Sequence, residues 1–371
     1  MPSSQEAFTI GVEEEYQIID PLSRQLSPAA FAILRRAERK LHDQVQPELR
    51  LSQIEVGTPI CHTLADVRSH LRDLRRTVIS AARQEGKEIA SVATHPFSHW
   101  SEQPVTPKAR YQALASDYQQ LTREQTICGC HVHVGLQDRD VAIGVMNRAC
   151  IWLAPLLALT ASSPFWLGED TGYASYRTEI WGRWPISGPP LLFASFQEHS
   201  ELAQALIAIG AIEDTTKIYW DLRLSERFAT IETRVADSCM TLDEAVMHAG
   251  LVRAIIRTCY EQVMAEKSFA PVRPEIIRVA QWRAARYGLD EKLVDIASLS
   301  LVPARELIEK LLEFIQPALV AEGDWEEVSA AVQRVLQYGN SAVRQREVYQ
   351  RTGQMESVVD FVVAETARDA E

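Results

Sequence analysis

The 371-residue sequence contains no CxxC pair, no fixed-period repeat and no low-complexity block. It also lacks an apolar stretch approaching the roughly 18 residues of a membrane-crossing helix. The longest apolar run, Ala149 to Ala161, is interrupted by Pro155 and is expected to be a buried helix. The six cysteines (Cys61, Cys128, Cys130, Cys150, Cys239 and Cys259) are scattered, which excludes a paired-cysteine zinc site and points to reduced, buried thiols. Positive charge is in the minority. Against 38 Lys and Arg stand 50 Asp and Glu, a net charge of −12, which argues against nucleic acid as a partner. The first seven residues carry no Lys or Arg and lead straight into a strand-like pattern. No export signal or membrane anchor is therefore expected, and the cytoplasm is the expected location.

What is present describes a folded chain. Apolar residues make up 46% and charged residues 24%, enough of the former to bury a sizeable core. Length alone would allow two domains, but no Pro-, Gly- or Ser-rich linker separates them. A single domain over 1–371 is expected, with 1–7 and 367–371 as loose tails. Apolar and polar residues alternate in Phe8–Ile19, Leu49–Val56, Glu88–Ala93, Cys130–Leu136, Ile218–Leu224 and Thr230–Val235, which predicts about six strands. Leu64, Val67, Leu71, Leu74 and Val78 form one apolar stripe of a helix over 62–84. Thr241 and Glu244 have capping-box spacing ahead of a long helix. Shorter helical patterns cover 27–41, 275–287, 303–315, 325–337 and 356–367. This order, with hairpin-like neighbours late in the sheet, predicts an α+β fold. Residues 163–192, with four Gly, four Pro, three Trp and no sustained period, break the pattern and are a candidate lid.

Chemistry concentrates on strand faces. Side chains alternate along a strand, so Glu13 and Glu15 share one face of the first. Like charges side by side repel, and a cation relieves them. His131 with His133, and Glu232 with Arg234, repeat the device on later strands, and Glu55 closes another. Each alone has an ordinary explanation: a solvated face, a packed histidine pair or a surface ion pair. Asp221 and Arg223 add a polar pair just upstream of Glu232, and a hairpin would set these strands side by side. Four glutamates with one or two imidazoles suit Mg²⁺ or Mn²⁺ better than zinc, and two such ions would offset four carboxylates. Phosphate oxygens would fill the open positions, with Arg223 and Arg234 placed to stabilise a transferring phosphoryl group.

The segments GVEEEYQIID, SQIEVGTP, THPFSHW, CGCHVHVGL, SPFWLGEDTGYASYRTEIW, TIETRVAD and RYGLD occur in that order from residue 8 to about 290, with GNSAVRQR near 339–346. Together they resemble the glutamate-cysteine ligase type 2 family, also called YbdK-type carboxylate–amine ligases. The resemblance implies a catalytic fold like that of glutamine synthetase: a curved, mainly antiparallel sheet with its metal site on the concave face and helices outside. It implies ATP as phosphoryl donor, and small-molecule acid and amine substrates joined through an acyl phosphate, with glutamate and cysteine inherited from the family name. More distantly, CHVH and ETR are similar to two strands of glutamine synthetase. On that mapping Glu13, His131 and Glu232 hold one metal, and Glu15 with Glu55 another.

Within this reading Arg177 is the candidate partner of the substrate α-carboxylate. His133 either orients substrate or supports His131, and Arg286 in RYGLD either contacts substrate or phosphate or forms a salt bridge. His95 and His99 flank a Pro-Phe turn and read as loop structure. Arg344 and Arg346 read as solvated helix, with a nucleotide contact as the alternative. Glu14 points to the apolar face, where a strand edge or an arginine partner would accommodate it. No segment signals an oligomer, although family members commonly self-associate. Two other classes fit parts of the pattern: a metal-dependent amide hydrolase and a non-catalytic nucleotide or amino-acid sensor.

Overall fold

The computed structural model describes residues 8–370; the expectation of a loose tail at 1–7, and residue 371, lie outside them. Its centre is an open, seven-stranded, wholly antiparallel sheet. The strands are β1 (Ile10–Ile19), β2 (Val45–Pro47), β3 (Gln53–Gly57), β4 (Glu88–Ala90), β5 (Cys130–Gly135), β6 (Leu222–Leu224) and β7 (Thr230–Thr233). Their order is β6-β7-β5-β1-β3-β2, and β4 pairs with the far end of β1. The α+β class expected from the sequence is therefore present. Two differences from the expected strands bear on the site. Val45–Pro47 is an additional strand, and the predicted Ile218–Leu224 strand splits at Asp221 because Tyr219–Trp220 pairs with Ser187–Gly188 instead.

Strand β1 shows why the sheet has two unlike faces. Ile10, Val12 and Tyr16 are buried beneath it, while Glu13 and Glu15 lie on the opposite side. Helices Leu64–Gln84 and Leu242–Met264 cover the apolar face, and their stripes join the main core with Val132 and Val134 of β5. Both helices start with a capping box, Thr63 with Asp66 and Thr241 with Glu244, which satisfies end N–H groups that packing would otherwise strand. Glu14 faces this apolar side in a central strand, not at an edge. It is fully buried and paired with Arg75 of the first of those helices, Arg75 Nε to Glu14 Oε2 at 3.0 Å and Nη2 to Oε1 at 2.5 Å.

The apolar run Ala149–Ala161 falls in a helical stretch, Arg139–Thr160, long and apolar enough by composition to cross a membrane. Two-thirds of its most apolar window is buried within the molecule, which makes it a core element. The expected loose C-terminal tail is packed over 367–370. Ala370 is buried, and the carbonyls of Asp369 and Ala370 accept from Arg72 and Arg76.

Candidate active site

The polar face of the sheet floors a cavity of about 400 Å³. Register decides which side chains meet there. Glu13 lies opposite His131, Glu232 opposite both His133 and Arg223, and Glu15 opposite Glu55. All seven line the cavity, together with Arg177 and Arg234.

The tightest group is Glu13, His133 and Glu232, whose donor atoms all lie within 4.8 Å of one another. His133 Nε2 stands 3.4 Å from Glu13 Oε1, while its Nδ1 is 3.0 Å from Thr230 Oγ1. That second contact fixes the ring and leaves Nε2 facing the carboxylates. His131, the histidine expected in that set, stands to one side of it. His131 Nδ1 is 3.3 Å from Glu13 Oε2 and 3.3 Å from Arg234 Nη1, so it flanks the group, and β7 pairs Glu232 with His133 instead.

Glu232 is almost fully buried between two guanidiniums. Arg223 donates through Nε to Oε2 at 2.8 Å and through Nη2 to Oε1 at 3.2 Å, and Arg234 Nη1 donates to Oε1. Burial works against its charge, yet Arg234 and Arg223 hold its carboxyl far below the usual range. Burial likewise opposes the charge of Glu13, but hydrogen bonds from His131 and His133 lower its pKa well below normal. Burial, aided by Arg234, drops His131 to about 4, whereas Glu13 and Glu232 raise His133 despite its burial.

The other acids behave oppositely. Burial and the nearby Glu48 push Glu15 up to about 8, and burial with the charge of Glu13 raises Glu55 well above the carboxylate range. Gly129 N donates to Glu15 at 2.7 Å and Gln46 Nε2 to Glu55 at 2.7 Å, too little to offset the crowding. Such a set fits a divalent cation: hard oxygen donors, one imidazole whose buried Nε2 faces the carboxylates, and carboxylates that cannot all be charged without a counter-ion.

The stretch 163–192 is a built wall of this cavity, not an open flap. It contains a helix, Tyr176–Trp181, and is tied down by the buried Asp237. Asp237 accepts from Ser162 N at 2.8 Å, Ser163 Oγ at 2.7 Å and Ser175 Oγ at 2.8 Å. The anchored helix delivers Arg177, buried at 4% exposure with its Nε unpartnered. Its guanidinium passes so close to Gly129 that a Cβ there would lie 2.5 Å from Arg177 Nη2 and 3.1 Å from His131 Nε2.

Arg286 is not among the residues lining the cavity: it donates to the Gly172 carbonyl and sits over the rings of Tyr173 and Tyr287, so it braces the wall. Asp221, at the strand break, turns away and accepts from Gln281 Nε2 at 3.1 Å. His95 is loop structure: its Nδ1 accepts from Ser98 N at 2.9 Å and Nε2 meets the Arg24 carbonyl at 2.8 Å. His99 Nδ1 accepts from Ser101 N at 3.1 Å. Arg344 pairs with Glu244 and Glu365, and Arg346 with Asp170, both away from the cavity.

Sequence reasoning missed Glu48, Tyr111 and the rim cations Lys108, Arg110 and Arg227, all of which line the cavity. Gln46, Glu48 and Tyr111 come with the short β2 edge, whose three residues are too few for a period to register.

A family model described as glutamate-cysteine ligase family 2 matches residues 9–361. The chain belongs to this family. A provisionally named glutamate–cysteine ligase 2 from Rhodopirellula baltica is 44% identical over 367 residues, covering 98% of both chains. A similarly named protein of Solibacter usitatus is 38% identical over 99% of this chain and 95% of its own. In fold, the chain is similar to a glutamate–cysteine ligase from Francisella tularensis solved with AMP. That match has a TM-score of 0.71 and 13% identity, and covers 99% of this chain and 93% of the other. It is equally similar, at TM-score 0.71 and 15% identity, to a bifunctional glutathione synthetase from Pasteurella multocida, spanning 98% of this chain and 52% of that longer one. Membership makes this family protein an ATP-dependent ligase that joins a carboxylate to an amine, with a requirement for divalent metal.

Proposed function

We propose that the protein joins the γ-carboxylate of glutamate to the amine of cysteine. The γ-carboxylate attacks the terminal phosphorus of ATP, ADP leaves, and the amine displaces phosphate from the resulting γ-glutamyl phosphate. The observation that carries this reading is the convergence, in one cavity, of a cation-binding acid–imidazole cluster with a buried arginine whose Nε has no partner.

Glu13, Glu232 and His133 would hold one cation, with His131 alongside, and Glu15 with Glu55 another. Divalent cations held there would supply positive charge to offset that of the phosphates. Arg223 and Arg234 stand at the Glu232 end of the cluster, where planar, two-point donors stabilise negative charge on the phosphoryl group. Arg177 takes the substrate α-carboxylate, and its buried setting strengthens that charge-assisted contact. The wall 163–192 limits water at the acyl phosphate. Six unpaired, buried thiols fit a reducing compartment, the cytoplasm.

The deciding experiment measures ADP release and product mass with Mg-ATP across a panel of acids and amines. Release that needs both an acid and an amine, highest for glutamate with cysteine, is the expected outcome. Amide cleavage indifferent to ATP would indicate a hydrolase, and Mg-ATP binding without turnover a sensor.

Arg177→Ala should raise KM for the acid by about tenfold to a hundredfold and leave KM for ATP close to normal. A loss confined to ATP affinity would refute the assignment.

The raised carboxyls also set a pH dependence. Glu15 titrates near 8 when folded and Glu55 well above normal, so the folded state holds protons that the unfolded chain has released by pH 7. Stability of the metal-free protein should therefore fall from pH 7 to pH 9. His133, raised in the fold, acts in the same direction. Cation binding needs these carboxyls ionised, so the rise in Tm on adding Mg²⁺ should be larger at pH 9 than at pH 7. Thermal melts with and without Mg²⁺ check this; an equal or smaller gain at pH 9 would count against Glu15 and Glu55 as ligands.

A further inference from the structure

Two glycines on the polar face of the sheet are not required by the fold. Residues directly opposite in an antiparallel pair share a face, so Gly57, opposite Glu13, and Gly11, opposite His133, leave bare main chain on the side that carries the acid–imidazole cluster. Neither takes a positive φ. A Cβ on Gly57 would meet no atom within 4 Å, and one on Gly11 would meet only the His133 Cβ, at 3.6 Å, an ordinary contact. Both positions are half-buried, with room for a small side chain. Glycine weakens a strand, and where the fold does not call for it, it marks a place where another group comes close to the main chain. Gly135, opposite Thr230, continues this bare strip along β5 beyond His133.

The strip lies at a definite end of the cluster. Along β1 the order on this face is Glu15, Glu13, Gly11, with Gly11 about 7 Å beyond Glu13. Arg177 stands at the Glu15 end, where Gly129 N donates to Glu15 and the Gly129 main chain lies against the guanidinium. Phosphoryl transfer needs the attacking and leaving oxygens roughly in line through phosphorus. With the acid on Arg177 and the phosphoryl group at the cluster of Glu13, His133 and Glu232, the leaving ADP extends toward Gly11 and away from Arg177.

An aromatic ring borders that end. Phe228, in the hairpin between β6 and β7, lines the cavity and is 59% exposed. It meets the His133 ring at 89°, with ring centroids 6.2 Å apart, so it stands next to the cluster with more than half of its surface open. A lone exposed phenylalanine on an outer surface would need no explanation. One beside the phosphate end of an ATP site offers a flat face to a base, and base–aromatic stacking is a sizeable source of affinity.

We infer that the nucleoside of ATP lies on this strip, with its base stacked on Phe228 and its ribose over the main chain of Gly11 and Gly57. The inference rests on the ligase reading above for the places of the acid and the phosphates, and assigns the nucleoside half of the donor to three residues.

Inorganic tripolyphosphate separates the nucleoside from the phosphates, and calorimetric titration of the full chain with Mg-ATP or Mg-tripolyphosphate needs no acid or amine. Phe228→Ala, a change at an exposed hairpin position, should weaken Mg-ATP about tenfold, the loss of one stacked base, and Phe228→Tyr should keep the wild-type affinity. Gly57→Val, whose methyl groups would stand where the ribose lies, should also weaken Mg-ATP about tenfold or more. All three variants should bind Mg-tripolyphosphate within about twofold of the wild type. Equal weakening of both ligands in Phe228→Ala would mean that the ring supports the cation cluster, and would overturn the assignment. So would an unchanged Mg-ATP affinity in Phe228→Ala, which decides alone if Gly57→Val does not fold. A wild type that shows this binding pattern but releases no ADP with any acid and amine would instead remove the glutamate–cysteine reading, and leave the nucleoside seat in place.

Discussion

Glu13→Gln should lower ADP release about a thousandfold or more while leaving the circular dichroism spectrum unchanged. Glu13 is the one carboxylate that touches both imidazoles, at 3.3 Å from His131 and 3.4 Å from His133, and it shares the compact donor group with Glu232. Glutamine keeps its shape and removes its charge, so packing survives and cation binding does not. The substitution also takes away a charge that pushes Glu55 upward, and with it the contacts from His131 and His133 that hold Glu13 ionised. Glu232→Gln should lose turnover as well, but it is a poorer test. It leaves Arg223 and Arg234 without their shared partner, which confounds catalysis with stability. Near-normal ADP release by Glu13→Gln would remove it from the metal-binding set.

Arg75→Met should destabilise the protein by about 3–5 kcal/mol, read from denaturant melts. Arg75 and Glu14 are each 1% exposed. Besides the two-point pair, Arg75 donates to the carbonyls of Cys239 at 2.9 Å and Met240 at 3.2 Å, which fixes the turn before the long helix Leu242–Met264. With methionine in its place, Glu14 keeps only the Tyr16 hydroxyl, at 2.6 Å, and remains a charge out of water. Replacing both partners, Glu14→Leu with Arg75→Met, should recover most of the loss, because the penalty comes from the unpaired charge. A single-variant loss under about 1 kcal/mol would contradict this account of why an acid sits under the central strand.

The faces of the site strands were legible because side-chain direction alternates strictly along a strand. That parity alone puts Glu13 with Glu15, His131 with His133, and Glu232 with Arg234. Register was not legible. His131 and His133 have the same parity, and only the pairing of β7 with β5 sets Glu232 beside His133. Asp221 was misplaced for a related reason: the alternation runs on through it, while the chain switches partner strands there. In 163–192 the irregular composition marked out the segment that walls the cavity, but the rigidity comes from Asp237, more than 40 residues later in the sequence. No local pattern encodes such an anchor. The same holds for Arg286, whose partner, the Gly172 carbonyl, is a main-chain atom in that segment.

The most direct test is a Mn²⁺ titration of the nucleotide-free protein at pH 8.5, followed by the electron paramagnetic resonance signal of the free ion. The wild type should deplete the free-ion signal at protein-stoichiometric concentrations, and Glu13→Gln should leave it largely intact. A wild-type protein that leaves Mn²⁺ free under these conditions would contradict the claim that this acid–imidazole cluster holds metal.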